Sequence, residues 1–352
     1  MGKANFRVAG AIALLLIVAN LAVAWAYDLP VRDPDGVVVP TYVRLPVIVL
    51  LAFLLDVVPR AVLAAWGRPG TLGTAFKDVV RRRWDRSHVL FMLGGLGAWY
   101  VCYATFRNLK SYVPFVNHHI WDDTLARIDR ILWLGHDPAT VLHAVFGTGV
   151  AAHFFSAVYI AWIGLIPISL AIALVWTRSP IKGAWYVTAI AFDWVLGVAV
   201  YYLVPTLGPI YTAPENFAHL AHTDVTTIEA QLLDERIAVL ADPWATQAVQ
   251  TIAAFASLHV GMMMTICLIA ELVHLRRWLC NLAWVFFALT VLATVYLGWH
   301  FFVDTLGGMA LGAAGVWLAA MATGNLDGLR PRLAPAEVAH EADFSDSAST
   351  SA

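Results

Sequence analysis

Long apolar blocks separated by short polar segments run along most of the chain. Within each block the apolar residues are nearly continuous, whereas an amphipathic helix of a soluble domain repeats them every three or four positions. About 20 helical residues cross a hydrocarbon core of about 30 Å, and a helix satisfies its own backbone groups there. The pattern predicts an all-α, polytopic transmembrane helical bundle. The eight predicted spans are 8–27, 43–66, 87–106, 151–176, 184–204, 252–273, 279–298 and 302–323.

The first two spans each leave an alternative open. Lys3 and Arg7 precede an apolar run that ends in Ala24-Trp25-Ala26, a sequence that a signal peptidase could cleave. Because the run is long for a signal peptide, we interpret it as a retained anchor. In the second span Asp56 and Arg60 have i,i+4 spacing, which predicts an ion pair inside the membrane. The alternative is that Arg60 marks the cytoplasmic end of this span.

Composition agrees with a membrane protein. Of the 352 residues 60% are hydrophobic, 13% are charged and fifteen are tryptophan, which is enriched at membrane interfaces. The formal net charge of −2 favours no class of partner, and the basic segment 77–86 is interpreted as a topology signal that contacts anionic lipids rather than nucleic acid. Cys102, Cys267 and Cys280 lie in or beside predicted spans and are expected to be buried without a disulfide.

Basic residues are concentrated on one side of the predicted spans, and the positive-inside rule makes that side cytoplasmic. The long loop 205–251 is acidic and falls on the opposite side. Both termini are then expected to be cytoplasmic. The basic residues are Lys3, Arg7, Arg68, Lys77, Arg81, Arg82, Arg83, Arg86, Arg178, Lys182, Arg276, Arg277, Arg330 and Arg332.

Polar residues cluster where spans meet the extracytoplasmic side, and polar groups near a membrane are functional candidates. The first cluster contains Ser257 and His259, at the start of the sixth span. Unpaired N–H groups and the positive dipole end of a helix N-terminus attract phosphate, which Ser257 could help to hold. The alternative is a Ser257 N-cap beside an interfacial histidine.

The second cluster lies between the last two spans. His300 and Asp304 are four residues apart, so on a helix they share a face and the carboxylate can hold one imidazole nitrogen. The other nitrogen is then free as a nucleophile or base. A structural histidine–aspartate pair is the alternative. Gly307 and Gly308 would allow another helix to approach closely.

The third cluster follows the third span. Arg107 and Lys110 share a helix face and could bind phosphate oxygens, or they could simply anchor the span at the interface. All three clusters fall on the same side of the membrane. Together they supply a nucleophile, an orienting acid, a proton donor and positive charge, the groups that phosphoryl transfer needs.

The polar segment beyond this cluster contains residue types that can bind a metal ion. His118, His119, Asp122 and Asp123 are close in sequence, but their spacing is not typical of a metal site and none is expected. Segment 121–146 has apolar residues spaced among polar ones, which predicts an interfacial helix near the mouth of the bundle.

The chain resembles the phosphatidic acid phosphatase type 2 superfamily, and within it the branch of the inositol phosphorylceramide synthase. The resemblance rests on Ser257-Leu258-His259 and on the segment from Tyr296-Leu297-Gly298-Trp299-His300 to Asp304. The segments 202–209 and 125–129 are also similar to this branch. The resemblance covers roughly 87–323 and makes the first two spans an addition to the family core.

The resemblance implies specific roles for these residues. His300 would attack phosphorus, Asp304 would orient and polarise it, His259 would protonate the leaving oxygen and Ser257 would help to hold the phosphate. A phosphohistidine would then be resolved by water or by an acceptor hydroxyl. No metal or other cofactor is implied.

Two departures from the superfamily pattern alter the expected phosphate site. Ala256 precedes the serine where the superfamily has proline, and Ala293-Thr294 stands where it has Ser-Arg. The synthase branch resembles this chain in lacking that arginine. The cationic role therefore shifts in our expectation to Arg107 and Lys110.

The sequence thus predicts three parts. Residues 1–86 hold two transmembrane helices and a basic cytoplasmic loop. Residues 87–323 form a six-helix catalytic membrane domain with extracytoplasmic loops 107–150 and 205–251. Residues 324–352, rich in small, proline and acidic residues, are expected to be a disordered tail.

The expected activity is inositolphosphotransferase-like: transfer of a phosphorylated head group from a lipid phosphate or phospholipid to a polyol or sugar. Hydrolysis of an isoprenoid or glycerolipid phosphate is the alternative. A transporter or structural membrane protein is the alternative of another class, although transporters place polar residues near the midplane and often show inverted repeats. The lipid and the oligomeric state stay open.

Overall fold

The computed structural model describes residues 5–34, 41–176 and 179–333, which contain thirteen α-helices and one β-hairpin. Ile172–Trp176 continues α7 as a π-helical turn, and Pro69–Thr71 and Pro214–Asn216 are 3₁₀ turns. The helices are α1 (Arg7–Ala26), α2 (Thr41–Ala64), α3 (Leu72–Arg83), α4 (Arg86–Val116), α5 (Asp122–Leu132), α6 (Pro138–Phe146), α7 (Val150–Ala171), α8 (Pro180–Leu203), α9 (Pro209–Thr212), α10 (Asp224–Ala241), α11 (Leu258–Leu272), α12 (Arg277–Tyr296) and α13 (Phe302–Thr323). The hairpin pairs β1 (Leu326–Asp327) with β2 (Arg330–Pro331).

Seven helices of the described chain are long and apolar enough to cross a membrane, namely α1, α2, α4, α7, α8, α12 and α13. The protein is therefore a multi-pass integral membrane protein. The sixth of the eight predicted spans, 252–273, corresponds to α11, whose 15 residues are fewer than the roughly 20 needed to cross the hydrocarbon. It is shorter because its helix begins only at Leu258.

The bundle has a polar end and a basic end. At the basic end α3 finishes in Arg81, Arg82 and Arg83, α4 begins at Arg86 and α12 begins at Arg277. At the other end, called the site end below, α4, α8 and α12 finish and α7, α11 and α13 begin. The predicted site residues all belong to that end.

Small residues bring α13 close to α11 and α8. A Cβ atom on Gly308 would overlap the Ser257 carbonyl and lie 3.2 Å from the Gly261 nitrogen. A Cβ on Gly307 would lie 3.0 Å from the Ala256 Cβ. The predicted close approach at Gly307 and Gly308 is confirmed, and it presses the N-terminal turn of α13 onto the segment that carries His259.

The predicted ion pair in α2 is also confirmed. Arg60 Nε lies 3.1 Å from Asp56 Oδ1. The buried Asp56 carboxylate accepts two further bonds, from Arg83 Nε at 2.8 Å and from Trp84 Nε1 at 3.1 Å. The Asp56 charge is thus compensated by two arginines, as a carboxylate inside a membrane protein requires. The same bonds link α2 to the residues just before α4.

Two sequence predictions differ from the observed elements. Segment 121–146 forms two helices, α5 and α6, rather than one, because Gly135 has a φ of +93° and Asp137 caps α6 by accepting from Thr140 N at 3.1 Å. The predicted disordered tail begins at 324, but β1 and β2 lie inside that range and Leu333 is buried. The remainder of the tail and Arg178 lie outside the described residues.

Candidate active site

His300, His259 and Asp304 form one hydrogen-bonded chain at the site end. His300 Nδ1 lies 3.3 Å from Asp304 Oδ2, and His300 Nε2 lies 3.0 Å from His259 Nδ1. His300 is 4% exposed and Asp304 is fully buried. Two residues predicted from separate clusters, 41 positions apart, are therefore in direct contact.

The partners of the two ring nitrogens indicate one tautomer for His300, because a carboxylate can only accept. The Asp304 carboxylate accepts the Nδ1–H, so Nε2 presents its lone pair toward His259. Burial, and secondly the nearby Lys110 ammonium, lower the pKa of His300 from 6.5 to about 3. The ring is then neutral at ordinary pH, the state that a nitrogen nucleophile needs.

Aromatic side chains hold His259 in place. Its ring packs on Trp162, with 4.4 Å between ring centroids, and on Tyr159, at 5.1 Å. Trp162 Nε1 also donates to the His259 carbonyl at 3.1 Å. Tyr159 stacks on Trp299 with an interplanar angle of 7°, which joins α7 to the turn before His300. Sequence reasoning did not identify this aromatic support, since aromatic residues are frequent throughout the chain.

Ser257 occupies the N-cap position of α11. It is fully buried, and its Oγ accepts from Val260 N at 3.4 Å as the N-cap of α11. Its own N–H donates to the Asp304 carbonyl at 3.0 Å. Ser257 thus joins α11 to α13 and is absent from the cavity lining, so direct phosphate binding by its hydroxyl stays a prediction.

Two buried aspartates of α5 brace the segments that carry the site. Asp129 accepts from Phe302 N at 2.6 Å and Val303 N at 2.8 Å, which are the free N–H groups at the start of α13. Asp122 accepts from Leu207 N at 3.0 Å and Gly208 N at 2.8 Å. The two aspartates are seven residues apart and share one face of α5, a spacing that the sequence displays but whose backbone partners it does not.

Burial raises the pKa of both brace carboxyls. The pKa of Asp129 rises from 3.8 to about 6, chiefly because it is desolvated, while the Val303 and Phe302 N–H groups oppose the change. Burial likewise raises the pKa of Asp122. Asp122 is thus accounted for by backbone bonds, and the described residues contain no group of three or more His, Cys, Asp or Glu placed to hold a metal ion.

The turn held by Asp122 contacts the turn before His300. Gly208 has a φ of +104°, and a Cβ there would lie 2.6 Å from the Trp299 carbonyl oxygen, so glycine alone fits. Ile210 N donates to the Gly298 carbonyl at 2.9 Å. Thr206 Oγ1 accepts from Phe255 N at 2.7 Å, close to Ser257. The loop after α8 therefore contacts both histidine-bearing segments.

Arg107 and Lys110 reach the same space from α4. Both line a cavity of about 710 Å³ together with His259 and His300. Lys110 Nζ lies 4.7 Å from the centroid of the Tyr201 ring, and the Arg107 guanidinium lies 5.9 Å from that of Tyr103. Within the described ranges neither cation forms an ion pair, and the buried Arg107 Nε has no hydrogen-bond acceptor. Two basic side chains without a carboxylate partner in one cavity are the arrangement that an anion site requires, and phosphate binding by them stays a prediction.

The cavity changes character away from the histidines. Its other lining residues are predominantly apolar and aromatic, and most belong to α2, α4 and α7, with others from α8, α10 and α11. The site therefore joins a polar, cationic head region to an apolar space within the helices.

The burial predicted for Cys102, Cys267 and Cys280 is confirmed, and all three are free cysteines in the structure.

One comparison with known proteins identifies a relationship. The family model described as PAP2 superfamily matches residues 123–318. This range includes both histidines, Asp304 and Asp129, and begins after Arg107, Lys110 and Asp122. No curated protein and no solved structure matches the chain.

Proposed function

Because the chain belongs to the PAP2 superfamily, whose members are generally phosphatases and phosphotransferases, we propose that it is a lipid phosphotransferase that acts through a phosphohistidine. The observation that carries the proposal is one cavity that contains a paired, neutral histidine and two cations without counter-charge. Lipid phosphate is the ligand class that combines an anionic group with an apolar body. The adjoining apolar space supports this choice.

In the first step of the proposed reaction His300 Nε2 attacks phosphorus. A P–N bond forms and the bond from phosphorus to the leaving oxygen breaks. His259 enters this step as the imidazolium, whose charge the bound phosphate stabilises, and its Nδ1–H supplies the proton that the leaving oxygen takes up. The two nitrogens, now 3.0 Å apart, separate so that the phosphoryl group lies between them. Asp304 stabilises the positive charge that develops on His300, and Arg107 and Lys110 stabilise the phosphate oxygens.

In the second step an acceptor hydroxyl attacks the phosphohistidine. His259 accepts the hydroxyl proton, the P–N bond breaks and His300 returns to its neutral form, so the cycle needs no further reactant. The nearly complete burial of His300 favours an acceptor that binds over bulk water, since an enclosed site limits hydrolysis. We therefore propose head-group transfer to a polyol or sugar, in the manner of the inositolphosphotransferase branch.

The proposed orientation follows from charge. Because basic residues gather at one end of the bundle, the positive-inside rule assigns that end to the cytoplasm. The two histidines then lie on the extracytoplasmic face, where a polyol acceptor would reach them from outside the cell or from an organelle lumen.

The test uses purified full-length protein in detergent with lipid phosphates and phospholipids, with and without inositol or sugars. We expect labelled phosphoryl groups to appear on the acceptor, and His300→Ala to lower turnover by at least about 10³-fold. His153→Ala, an exposed histidine of α7, serves as the matched control. Inorganic phosphate as the sole product would contradict transfer, and turnover that survives His300→Ala would contradict the mechanism.

A further inference from the structure

The cavity continues from the histidines along α4 toward the basic end. Its α4 wall consists of Met92, Leu96, Trp99, Tyr103 and Phe106, which are three or four residues apart and so share one helix face. From Met92 to Lys110 the helix rises about 27 Å at 1.5 Å per residue. That length approaches the whole hydrocarbon thickness of about 30 Å, so the cavity is deeper than one leaflet.

A second wall comes from α7 and its π-helical turn. Tyr159, Trp162, Ile166, Leu170 and Leu174 line the cavity, again at helical spacing. From Tyr159 to Leu174 this wall rises about 22 Å if the helical rise is kept. The two walls together define an elongated space, called the chain limb below, that runs from the histidines to the level of Leu174.

The third wall is one face of α2. Leu45, Ile48, Val49 and Ala52 line the chain limb at i, i+3, i+4 and i+7. The neighbouring Leu51 is 52% exposed on another face of the helix. This helix therefore presents one face to the chain limb and another to the surrounding lipid.

Hydrogen bonds place the Ala52 end of this face at the end of the chain limb farthest from the histidines. Asp56, one turn beyond Ala52, accepts from Arg83 Nε at 2.8 Å and from Trp84 Nε1 at 3.1 Å. Arg83 Nη2 also donates to the Val175 carbonyl at 3.4 Å, beside the last lining residues of α7. The inner end of α2 is thus fixed where the chain limb ends.

The distribution of charged lining residues determines how an anionic lipid would be oriented in the chain limb. Among the described residues that line the cavity, Arg107 and Lys110 are the charged ones beside the histidines, and both lie at the site end. The lining contributed by α2 and by the inner halves of α4 and α7 is apolar or aromatic. A ligand with its anionic group at the histidines would therefore direct a hydrocarbon chain inward.

We propose, resting on the lipid phosphate substrate of the proposed function, that the chain limb binds one hydrocarbon chain longer than a single leaflet, and that α2 sets the longest chain accepted. Because α2 and α4 precede the matched range 123–318, this selection is a property of the N-terminal part of the chain. A polyprenyl chain and a very long acyl chain share the required chemistry.

The test compares Ala52→Trp, which fills the inner end of the chain limb, with Leu51→Trp, which places the same side chain on a lipid-facing neighbour. Turnover is measured on polyprenyl phosphates of increasing length and, in a separate arm, on phosphatidic acids of increasing acyl length. We expect Ala52→Trp to lower the long-to-short ratio of kcat/KM by at least about tenfold, and Leu51→Trp to keep the wild-type ratio. The arm in which the effect appears identifies the chain.

Graded variants guard against misfolding. Ala52→Val and Ala52→Leu should shorten the preferred chain progressively, and a ratio unchanged in all three Ala52 variants would overturn the proposal. If the wild type acts on no lipid phosphate, the proposed function fails separately. Native mass spectrometry then decides the chain site, because Ala52→Trp should lose co-purified long-chain lipid that Leu51→Trp retains, and equal retention would overturn it.

Discussion

Replacing Asp129 by asparagine tests whether α5 positions the catalytic segment. In the wild type each carboxylate oxygen accepts one backbone N–H, from Phe302 at 2.6 Å and from Val303 at 2.8 Å. Asparagine keeps one oxygen and directs an NH₂ group at the second N–H, which is left unpaired. We expect Asp129→Asn to loosen the first turn of α13, and with it the placement of Asp304 against His300.

Two opposing free energies decide how much stability this change removes. An unpaired buried N–H costs about 1–3 kcal/mol. Burial raises the pKa of Asp129 from 3.8 to about 6, so the ionised carboxylate at pH 7 costs about 3 kcal/mol that asparagine avoids. Because these terms nearly cancel, the unfolding free energy at pH 7 should change by less than about 2 kcal/mol. The turnover number should nevertheless fall, by up to about 100-fold, since the reacting groups are displaced.

The pH dependence has a definite sign. With its pKa raised, the folded protein holds the Asp129 proton more tightly than the unfolded chain does. The stabilisation is complete below about pH 4 and is lost as the pH rises through 6. Asparagine carries no such proton. The fall in unfolding temperature between pH 4 and 6 should therefore be smaller in the variant than in the wild type.

The assay is an unfolding temperature in detergent at several pH values, with turnover of lipid phosphate at pH 7. Asp123→Asn is the matched control, because Asp123 is exposed on the same helix, and it should behave as wild type in both measurements. A variant at Asp129 with wild-type turnover and an unaltered pH slope would refute the bracing role of α5.

Two further predictions concern Glu229, a buried residue of α10, and the two basic residues of the cavity, Arg107 and Lys110. Burial raises the pKa of Glu229 from 4.5 to about 8, so the stability that its proton contributes is lost as the pH rises from about 4.5 through 8. In chemical denaturation the wild type should lose about 2 kcal/mol of unfolding free energy between pH 6 and 8, a loss that Glu229→Gln avoids and the exposed-site control Asp234→Asn keeps. Arg107→Ala and Lys110→Ala should each lower kcat/KM about 10- to 100-fold because each removes a charged contact to phosphate. Arg107→Lys should restore turnover only in part, since lysine lacks the planar guanidinium group. Unchanged kcat/KM in both alanine variants would show that Arg107 and Lys110 do not bind the phosphate.

The membrane class was predictable because bilayer thickness and backbone bonding restrict the solutions to long apolar helices. The same reasoning placed α1, α2, α12 and α13 to within a few residues of their observed bounds, whereas α4 continues ten residues beyond the predicted end at 106. It overextended the span around 252–273, since hydropathy cannot show that the apolar residues before Leu258 are held by side-chain and backbone bonds from other segments, such as Thr206 to Phe255.

One contact of the site was predictable because its two residues are close together in the sequence. His300 and Asp304 are one helical turn apart, and their contact is present. The contact of His300 with His259 needed α11 and α13 to pack closely, which Gly308 indicated without giving a distance. Asp122 and Asp129 could not be assigned from sequence, because their partners are backbone N–H groups that any residue type supplies. From sequence alone, a carboxylate such as that of Asp122 could equally be a metal ligand or an acceptor for backbone N–H groups.

The matched range and the observed cavity together suggest how the chemistry and its specificity are divided. Residues 123–318 supply the two histidines, Asp304 and Asp129 of α5, which together determine the position of His300 Nε2. The two cations and the α2 wall come from the preceding part of the chain and meet the same cavity. Groups that hold a transition state tolerate little displacement, whereas an apolar wall can change by whole side chains at modest cost. On this division, substitutions in α2 should alter which lipid is used, while substitutions in α5 should alter how fast any lipid reacts.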